Sequence, residues 1–286
     1  MPHHSSCRLD ILSRHTAASF PKIFRDWRQP AFFIQVGSGF HVQSLFDSPP
    51  QSSPLAALPD MPDFANPDAE HPQLLFGDVM NHPILALQGH RHLYEGLGIT
   101  PCILPLCGAF CAGARHAILI ESGLSLDHEL KTGNWLLLTD FINGHHCSPL
   151  DGNHSFLPNP FPDMSEALSQ HLNSELLNAL AGNGVFPRLG IFHSIPGSQF
   201  PTVSEARLSR SAGADMLGHD LAMEIIMGHA LGMNVSAFAL AAAAAPDHYS
   251  PKLSRQDILE TRRFCSSQLF PGLRRGIDDF LSSFSG

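Results

Sequence analysis

Apolar residues form six short runs along the chain, most of them closed by a glycine or a polar residue. Short continuous apolar runs bounded by turn signals are typical of buried strands. The predicted strands cover residues 31–36, 83–88, 116–120, 135–139, 188–193 and 235–243. The pattern therefore predicts a sheet whose central strands are buried on both faces.

Helical patterns alternate with these runs. Thr202 followed three residues later by Glu205 is a capping-box pattern, which predicts a helix over 202–212. One helix is expected to end near 109–114, and others are predicted over 220–231, 253–269 and 272–284. Because strands and helices alternate, we expect an α/β fold, with a central mixed, mostly parallel twisted sheet flanked by helices.

Three segments fall outside this alternation. Residues 1–28 are expected to form a helical or irregular lead-in, and residues 48–62 an irregular surface loop rich in Pro and Ser. Residues 144–162 are rich in Pro, Gly and His and are expected to form a second long loop. Loops of that length are usually functional or mobile. We expect all of residues 1–286 to form one domain.

Composition narrows the class of partner. The net charge of −9 disfavours nucleic acid, because phosphate backbones are bound by an excess of Lys and Arg. The longest apolar stretch, 235–246, is too short to cross a membrane, and the N-terminus has no apolar signal core. Six cysteines are too sparse for a disulfide framework. We therefore expect a cytoplasmic protein without a membrane or nucleic-acid partner.

Gly37-Ser38-Gly39 follows the first predicted strand directly. Glycines allow backbone N–H groups to approach an oxyanion, and a serine adds a hydroxyl donor, so the turn is a candidate anion cradle. A plain tight turn explains the same residues. The third glycine of a dinucleotide-binding fingerprint is missing.

His90-Arg91-His92 follows the second predicted strand. In an extended segment the two histidines face the same side, as a metal pair would, with His145, His146 or His154 as further ligands. No carboxylate lies at the usual zincin spacing, so we expect no metal. The alternative is an oxyanion clamp in which Arg91 and His92 donate charge-assisted hydrogen bonds.

Several segments, in this order, resemble the purine nucleoside phosphorylase and methylthioadenosine phosphorylase family. The segment QGHRHLYEG at 88–96 resembles that family's QGRxHxYEG, and KTGNWLLLTDFIN at 131–143 is similar to its VGDxxxxxDHIN. Further matches are Pro149-Leu150, FPDMS at 161–165, GSQFPTVSEAR at 197–207, and AGADMLG at 212–218 followed by Glu224.

The resemblance implies an α/β enzyme, usually a homotrimer, in which inorganic phosphate attacks C1′ of a purine nucleoside or of 5′-methylthioadenosine. Free base and sugar 1-phosphate are the products, and no cofactor is implied beyond phosphate as co-substrate. Ser38 and His92 match the catalytic positions. The positions matched to phosphate binding are Ser38, His90, Arg91, His92, Ser122 and Asp220. Those matched to ribose are Tyr94, His219 and Phe156, the last supplied by a neighbouring subunit, and those matched to the base are Phe200, Pro201 and Ala243.

The chain departs from the family pattern on both sides of the sugar. His90 stands where the family has a phosphate-binding Arg, with Arg91 one place later, and Asp220 replaces a phosphate-contacting Ser or Thr. Pro201 replaces a base-contacting Glu, and Ala243 replaces an Asn or Asp. Asp247 and His248 are the nearby polar residues able to substitute.

Three hypotheses follow. The chain is a phosphorylase with relocated base contacts, a family member whose apolar pocket binds nucleoside-like or flat aromatic ligands with little turnover, or a metal-dependent hydrolase that uses the His cluster. Ser38, His92, Tyr94 and Phe200 favour the first, and Pro201, Asp220 and Ala243 favour the second.

Overall fold

The computed structural model describes residues 9–62, 71–247 and 252–284. Within these ranges nine strands form one sheet: β1 (Phe32–Val36), β2 (Gln51–Pro54), β3 (Gln73–Val79), β4 (His82–Gln88), β5 (His116–Ser125), β6 (Trp135–Asn143), β7 (Arg188–Ser194), β8 (Met216–Gly218) and β9 (Asn234–Ala244). The helices are α1 (Leu9–Ile23), α2 (Thr100–Cys111), α3 (Gln170–Gly182), α4 (Val203–Ser211), α5 (Ala222–Ala230) and α6 (Arg255–Ser282).

The sheet is mixed, and its order is β2-β3-β4-β1-β5-β8-β7-β6-β9. The last strand, β9, also pairs in parallel with β5, so the strands from β5 to β9 close into a ring. At the centre β1 pairs in parallel with both β4 and β5. The predicted fold class and all six predicted strands are confirmed, with bounds shifted by a few residues.

The central strand β1 is buried on both faces, as its mainly apolar sequence predicts, and its one polar residue, Gln35, is buried as well. Phe32, Ile34 and Val36 pack into a core shared with α3 and α6, whereas Phe33 packs into the core shared with α1, α2 and α5. Helices therefore cover both faces of the sheet, and the ligand-sized space is left at the strand ends.

Register places the candidate residues together. Val36 at the end of β1 is aligned with Gln88 of β4 and with Ile120 of β5. The residues that follow these three positions, including Ser38, His90 and Ser122, therefore emerge at the same edge. This is the carboxyl end of parallel strands, where α/β sheets commonly bind ligands.

Several elements differ from the prediction. Instead of the two helices predicted over 253–269 and 272–284, the structure has the single helix α6, which continues through Pro271. The pattern missed α3, β3 and β8, and β2 lies inside the segment expected to be an irregular loop. Residues 144–162 contain one 3-10 turn, His154–Phe156, and the lead-in contains α1. None of the helices in the described ranges has the length and apolar character needed to cross a membrane.

The helix α6 runs through Pro271 because it packs closely on α3. Leu269, Leu273 and Ile277 are completely buried on this side of α6. At Gly272 an added Cβ would lie 2.6 Å from Leu180 Cδ2 and 2.9 Å from Leu180 Cα. The glycine thus permits the contact that holds the two halves of the helix in line.

We expect Gly272→Val to lower the free energy of unfolding by about 2 kcal/mol, because the added methyl groups would push α6 away from the backbone of α3. Gly182→Ala is the control, since a Cβ at Gly182 meets nothing within 4 Å. Urea denaturation followed by circular dichroism measures both. Equal stability of the two variants would show that the α3–α6 contact is not tight.

Candidate functional site

A cavity of about 500 Å³ opens at the carboxyl ends of β1, β4 and β5. This volume is within the range of small-molecule sites. Nine of the residues matched to family positions line it: Ser38, His90, His92, Tyr94, Ser122, Phe200, Pro201, His219 and Asp220. The tertiary structure therefore gathers most of the predicted site into one space.

Two histidines and one carboxylate meet on the wall of this cavity. His92 Nδ1 lies 2.8 Å from Asp220 Oδ1, and His90 Nε2 lies 3.3 Å from the same oxygen. The histidines come from the segment after β4 and the aspartate from the segment after β8, and the two imidazole rings are 4.4 Å apart. We call these three residues the His–Asp–His trio.

The trio contains one anionic and one cationic side chain. Burial raises the pKa of Asp220, but the adjacent His92 and His90 outweigh burial and hold that pKa well below its usual range. Burial lowers the pKa of His90, but the Asp220 carboxylate, helped by Glu224 and Glu121, raises it to about 9. Asp220 is therefore an anion and His90 a cation at neutral pH.

The donor atoms of the trio lie within 4.8 Å of one another, close enough to be considered as metal ligands. The 2.8 Å contact between His92 Nδ1 and Asp220 Oδ1 is shorter than the about 3.3 Å that separates two ligands on a tetrahedral zinc ion. That contact has the length of a hydrogen bond with its proton between the two atoms. The trio therefore fits direct imidazole–carboxylate bonding.

A second ion pair lies beside the trio. Arg262 of α6 donates from NH2 to Glu121 Oε2 at 2.7 Å, from Nε to Ser122 Oγ at 2.7 Å and from NH1 to the Ser38 carbonyl at 2.8 Å. The side chain of Glu121 is 2% exposed. Arg262 thus ties α6 to the two strand ends that carry the predicted phosphate residues.

The Gly37-Ser38-Gly39 turn receives a carboxylate of the chain itself. A Cβ added at Gly37 would lie 1.7 Å from Glu121 Oε1, so the glycine is required by the close approach of that side chain. The Ser122 backbone N–H, which the resemblance assigns to phosphate, donates to Glu121 Oε2 at 2.7 Å. The glycine turn therefore packs against the Glu121 carboxylate, which also accepts the Ser122 N–H, and the role of Ser122 in phosphate binding stays a prediction.

The predicted ribose side of the cavity is aromatic. Tyr94 stacks on His92 with ring centroids 4.6 Å apart and meets His219 edge-on at 5.9 Å. Glu95 Oε1 accepts a hydrogen bond from the His92 backbone N–H at 2.8 Å, which fixes the turn that carries both rings. Burial raises the pKa of Tyr94, so its hydroxyl is protonated and can donate.

The predicted base side is apolar. Phe200 packs with an apolar cluster that contains Leu124, Leu217 and Ile258, and these residues also line the cavity together with Pro201. Ala243 of β9 packs against the same cluster and is not among the residues that line the cavity. With its short side chain, Ala243 therefore does not form part of the base side that was predicted for it.

One further prediction is corrected, and one stays a prediction. Arg91 is buried and donates to Glu95 Oε2 at 3.2 Å and to the Pro62 carbonyl, so its charge does not replace the missing arginine in the cavity. The reason is strand alternation, which turns Arg91 away from the side that His90 and His92 share. Phe156 does not line the cavity of its own chain and lies in a surface depression with Arg14 and Arg115. Its predicted contact with the ribose of a neighbouring subunit stays a prediction. His248 lies outside the described residues.

Four charged residues that line the cavity were not among the predicted site residues: Glu95, Glu121, Arg255 and Arg262. The sequence offered one indication for Glu121, because this charged residue directly follows the strand predicted over 116–120. Arg255 and Arg262 also line the cavity, but they lie on α6, more than 130 residues from Glu121 along the chain. No local pattern distinguishes them from the other charged residues of that helix.

Comparisons with known proteins agree with this geometry. The sequence profile of the phosphorylase superfamily matches residues 74–269. Purine nucleoside phosphorylase 1 of Bacillus subtilis is 26% identical over 233 residues, which are 81% of this chain and 85% of that protein. The purine nucleoside phosphorylase of Mycobacterium tuberculosis is 30% identical over 213 residues, which are 72% of this chain and 75% of that protein.

The fold has a match among solved structures. The crystal structure of Schistosoma mansoni purine nucleoside phosphorylase in complex with inosine superposes with a TM-score of 0.84 and 20% sequence identity. The superposition covers 96% of this chain and 98% of that one. The two chains share the whole fold.

Proposed function

The chain belongs to the phosphorylase superfamily, and we propose that it is a pentosyltransferase that cleaves the N-glycosidic bond of a purine nucleoside by phosphorolysis. An oxygen of inorganic phosphate attacks C1′, the purine leaves with the bonding electrons, and the products are free base and sugar 1-phosphate. The observation that carries this proposal is the cavity shared by Ser38, His92, Tyr94 and Phe200. The two bacterial relatives of this chain described above are named purine nucleoside phosphorylases.

Each wall of the cavity has a part in this reaction. The ring of Phe200 packs on the purine plane, and this contact buries flat aromatic surface of both rings. Tyr94 and His219 contact the ribose. Ser38 and His92 face the phosphate, where a hydroxyl and an imidazole can donate to its oxygens. No resident cofactor is proposed, since phosphate is the co-substrate.

A second candidate is binding with little turnover. It is favoured by one observation, the apolar wall at the base, where Pro201 and the cluster around Phe200 present no charged group to the purine. A departing purine needs a proton or a hydrogen bond, because otherwise it leaves as an unstabilised anion. A pocket without that donor still binds a flat ligand.

We also propose a cytoplasmic homotrimer. Phe156 lies in the long loop and does not line the cavity of its own chain. In the trimer, the Phe156 of one subunit lies over the ribose bound by the neighbouring subunit. The five cysteines within the described ranges are free thiols, in keeping with a reducing compartment. Light scattering after size-exclusion chromatography tests the trimer, and Phe156→Ala should then raise the KM for nucleoside in the assembled protein.

The activity is tested by incubating the protein with inosine, adenosine or 5′-methylthioadenosine, each with and without phosphate. Chromatography measures the free base, and the sugar product is identified separately. Sugar 1-phosphate formed with one of these nucleosides supports phosphorolysis and identifies the preferred 5′ substituent.

If no base is released but a nucleoside raises the melting temperature of the protein, binding with little turnover replaces phosphorolysis as the proposed function. Stoichiometric zinc by elemental analysis would support the metal hypothesis.

We expect Ala243→Asn to raise kcat/KM for a 6-oxopurine nucleoside by about 10- to 100-fold, the equivalent of one charge-assisted contact of about 1.5–3 kcal/mol. Ala243 packs against the same apolar cluster as Phe200, so a longer polar side chain there is placed next to the base side of the cavity. Ala244→Asn is the control because residue 244 is exposed on the same strand. An unchanged kcat/KM in both variants would place the base elsewhere.

A further inference from the structure

The groups that would hold a phosphate are paired with carboxylates of the chain. Glu121 accepts from the Ser122 N–H and from Arg262. Asp220 Oδ1 accepts from His92 and lies 3.3 Å from His90 Nε2. Two carboxylates therefore occupy positions that phosphate oxygens would need. A phosphate dianion entering this subsite would have to displace them and would meet their negative charge.

Water meets neither obstacle. It is uncharged, so the two carboxylates do not repel it, and it is small enough to enter beside them. Water is, however, a weak nucleophile until a base removes one of its protons, whereas phosphate is already an anion and needs no base. A subsite built for water should therefore contain a positioned base.

The His92–Asp220 pair has the geometry of such a base. Asp220 Oδ1 lies 2.8 Å from His92 Nδ1, and a neutral imidazole that donates to a carboxylate from Nδ1 carries its lone pair on Nε2. Tyr94 stacks on the ring and Glu95 holds the His92 backbone, so the imidazole has one orientation. His92 and Asp220 both line the cavity. A carboxylate that orients an imidazole in this way is the arrangement of a general-base dyad.

We propose that this chain also hydrolyses its nucleoside, with His92 as the general base for water and Asp220 as the residue that positions it. The water oxygen bonds to C1′ while the C1′–N bond breaks and its electron pair goes to the purine. The water proton passes to His92 Nε2 and then through solvent to the purine. Free base and free ribose are the products. The inference rests on the proposed nucleoside site but not on phosphate.

The low pKa of Asp220 and the raised pKa of His90 support this assignment. The cation of His90 keeps Asp220 ionised, so the carboxylate remains an acceptor for the His92 Nδ1 proton. His90 thus stabilises the positioning residue through the same carboxylate oxygen that His92 contacts.

The experiment identifies the sugar product in phosphate-free buffer. We expect free ribose to accompany the free base, and in H₂¹⁸O the label to appear on C1 of ribose. Addition of phosphate should leave the rate of ribose formation within about twofold. Base release only with phosphate, as sugar 1-phosphate, would overturn hydrolysis while leaving the proposed phosphorolysis intact, and no base release at all would overturn both.

Asp220→Asn should lower kcat for hydrolysis by about 10²- to 10⁴-fold, the usual contribution of general-base catalysis, with the KM for nucleoside changed less than threefold. This split separates positioning from a loss of structure. His92→Gln leaves the Asp220–His90 contact in place and should give the same loss, which covers the case in which Asp220→Asn folds poorly.

Asp278→Asn is the matched control. Asp278 Oδ1 also pairs with an imidazole, His82 Nε2 at 3.1 Å, but this pair does not line the cavity. We expect its hydrolysis rate to equal that of the unaltered chain. Equal losses in Asp278→Asn and Asp220→Asn, or loss of hydrolysis after chelator treatment, would overturn the assignment of the base to His92 and Asp220.

Discussion

Asp220→Ser is expected to lower the KM for phosphate by about 100-fold or more. Two unit charges about 4 Å apart interact by about 4 kcal/mol at an effective dielectric constant near 20, which is equivalent to about three decades of affinity. The substitution removes that repulsion, adds a hydroxyl donor and frees His90 and His92 to bond phosphate. It also removes the residue that positions His92, so formation of free ribose should fall.

The variant is assayed by initial rates at varied phosphate and saturating nucleoside, with ribose and sugar 1-phosphate measured separately. Asp278→Ser serves as the control, because it removes the same charge from an imidazole pair outside the cavity. A KM for phosphate that is unchanged in Asp220→Ser would show that phosphate does not approach the His–Asp–His trio.

Arg262→Met is expected to lower the free energy of unfolding by about 3–5 kcal/mol, the range found when one partner of a buried ion pair is removed. Glu121 is almost fully buried, and Arg262 donates to its Oε2. Without the guanidinium, that oxygen keeps the Ser122 N–H as a partner but loses its counter-charge. Ser122 Oγ and the Ser38 carbonyl also lose a donor.

Chemical denaturation measures this loss. Arg275→Met on the same helix is the control, because Arg275 is 64% exposed and its loss should change stability by less than about 0.5 kcal/mol. The double variant Arg262→Met with Glu121→Met should recover most of the stability, since it replaces the charges by apolar groups of similar volume. Equal stability of the single and double variants would contradict the ion pair as the source.

The sequence alone predicted the features that depend on neighbours along the chain. Apolar runs that form buried strands need no knowledge of partners, so all six predicted strands were found and the α/β class followed from their alternation. Thr202 and Glu205 predicted the start of α4 for the same reason, because a capping box is contained in four residues. Short strands such as β8 and the half-exposed β2 carry too weak a pattern to be recognised.

For the site, the order of motifs predicted which strand ends meet, and nine matched residues lie around one cavity. The orientations within that site could not be predicted. Arg91 and His90 are adjacent in the chain, yet His90 faces the cavity and Arg91 faces Glu95 and Pro62. Alternation along an extended segment separates the two side chains, but which of them faces the cavity depends on the packing of the segment after β4.

The sequence by itself determined the fold class, the family resemblance and the position of Ser38, His92, Tyr94 and Phe200 at one edge of the sheet. Only the tertiary structure decided that the Glu121 carboxylate packs against Gly37 and that Arg262 of α6 donates to Glu121. It also decided that Asp220 pairs with two histidines. The physical reason is the separation along the chain of the residues that interact. Strand and helix signals arise from residues within one or two turns of each other, whereas a buried charge is stabilised by whichever opposite charge the folded chain brings within about 4 Å.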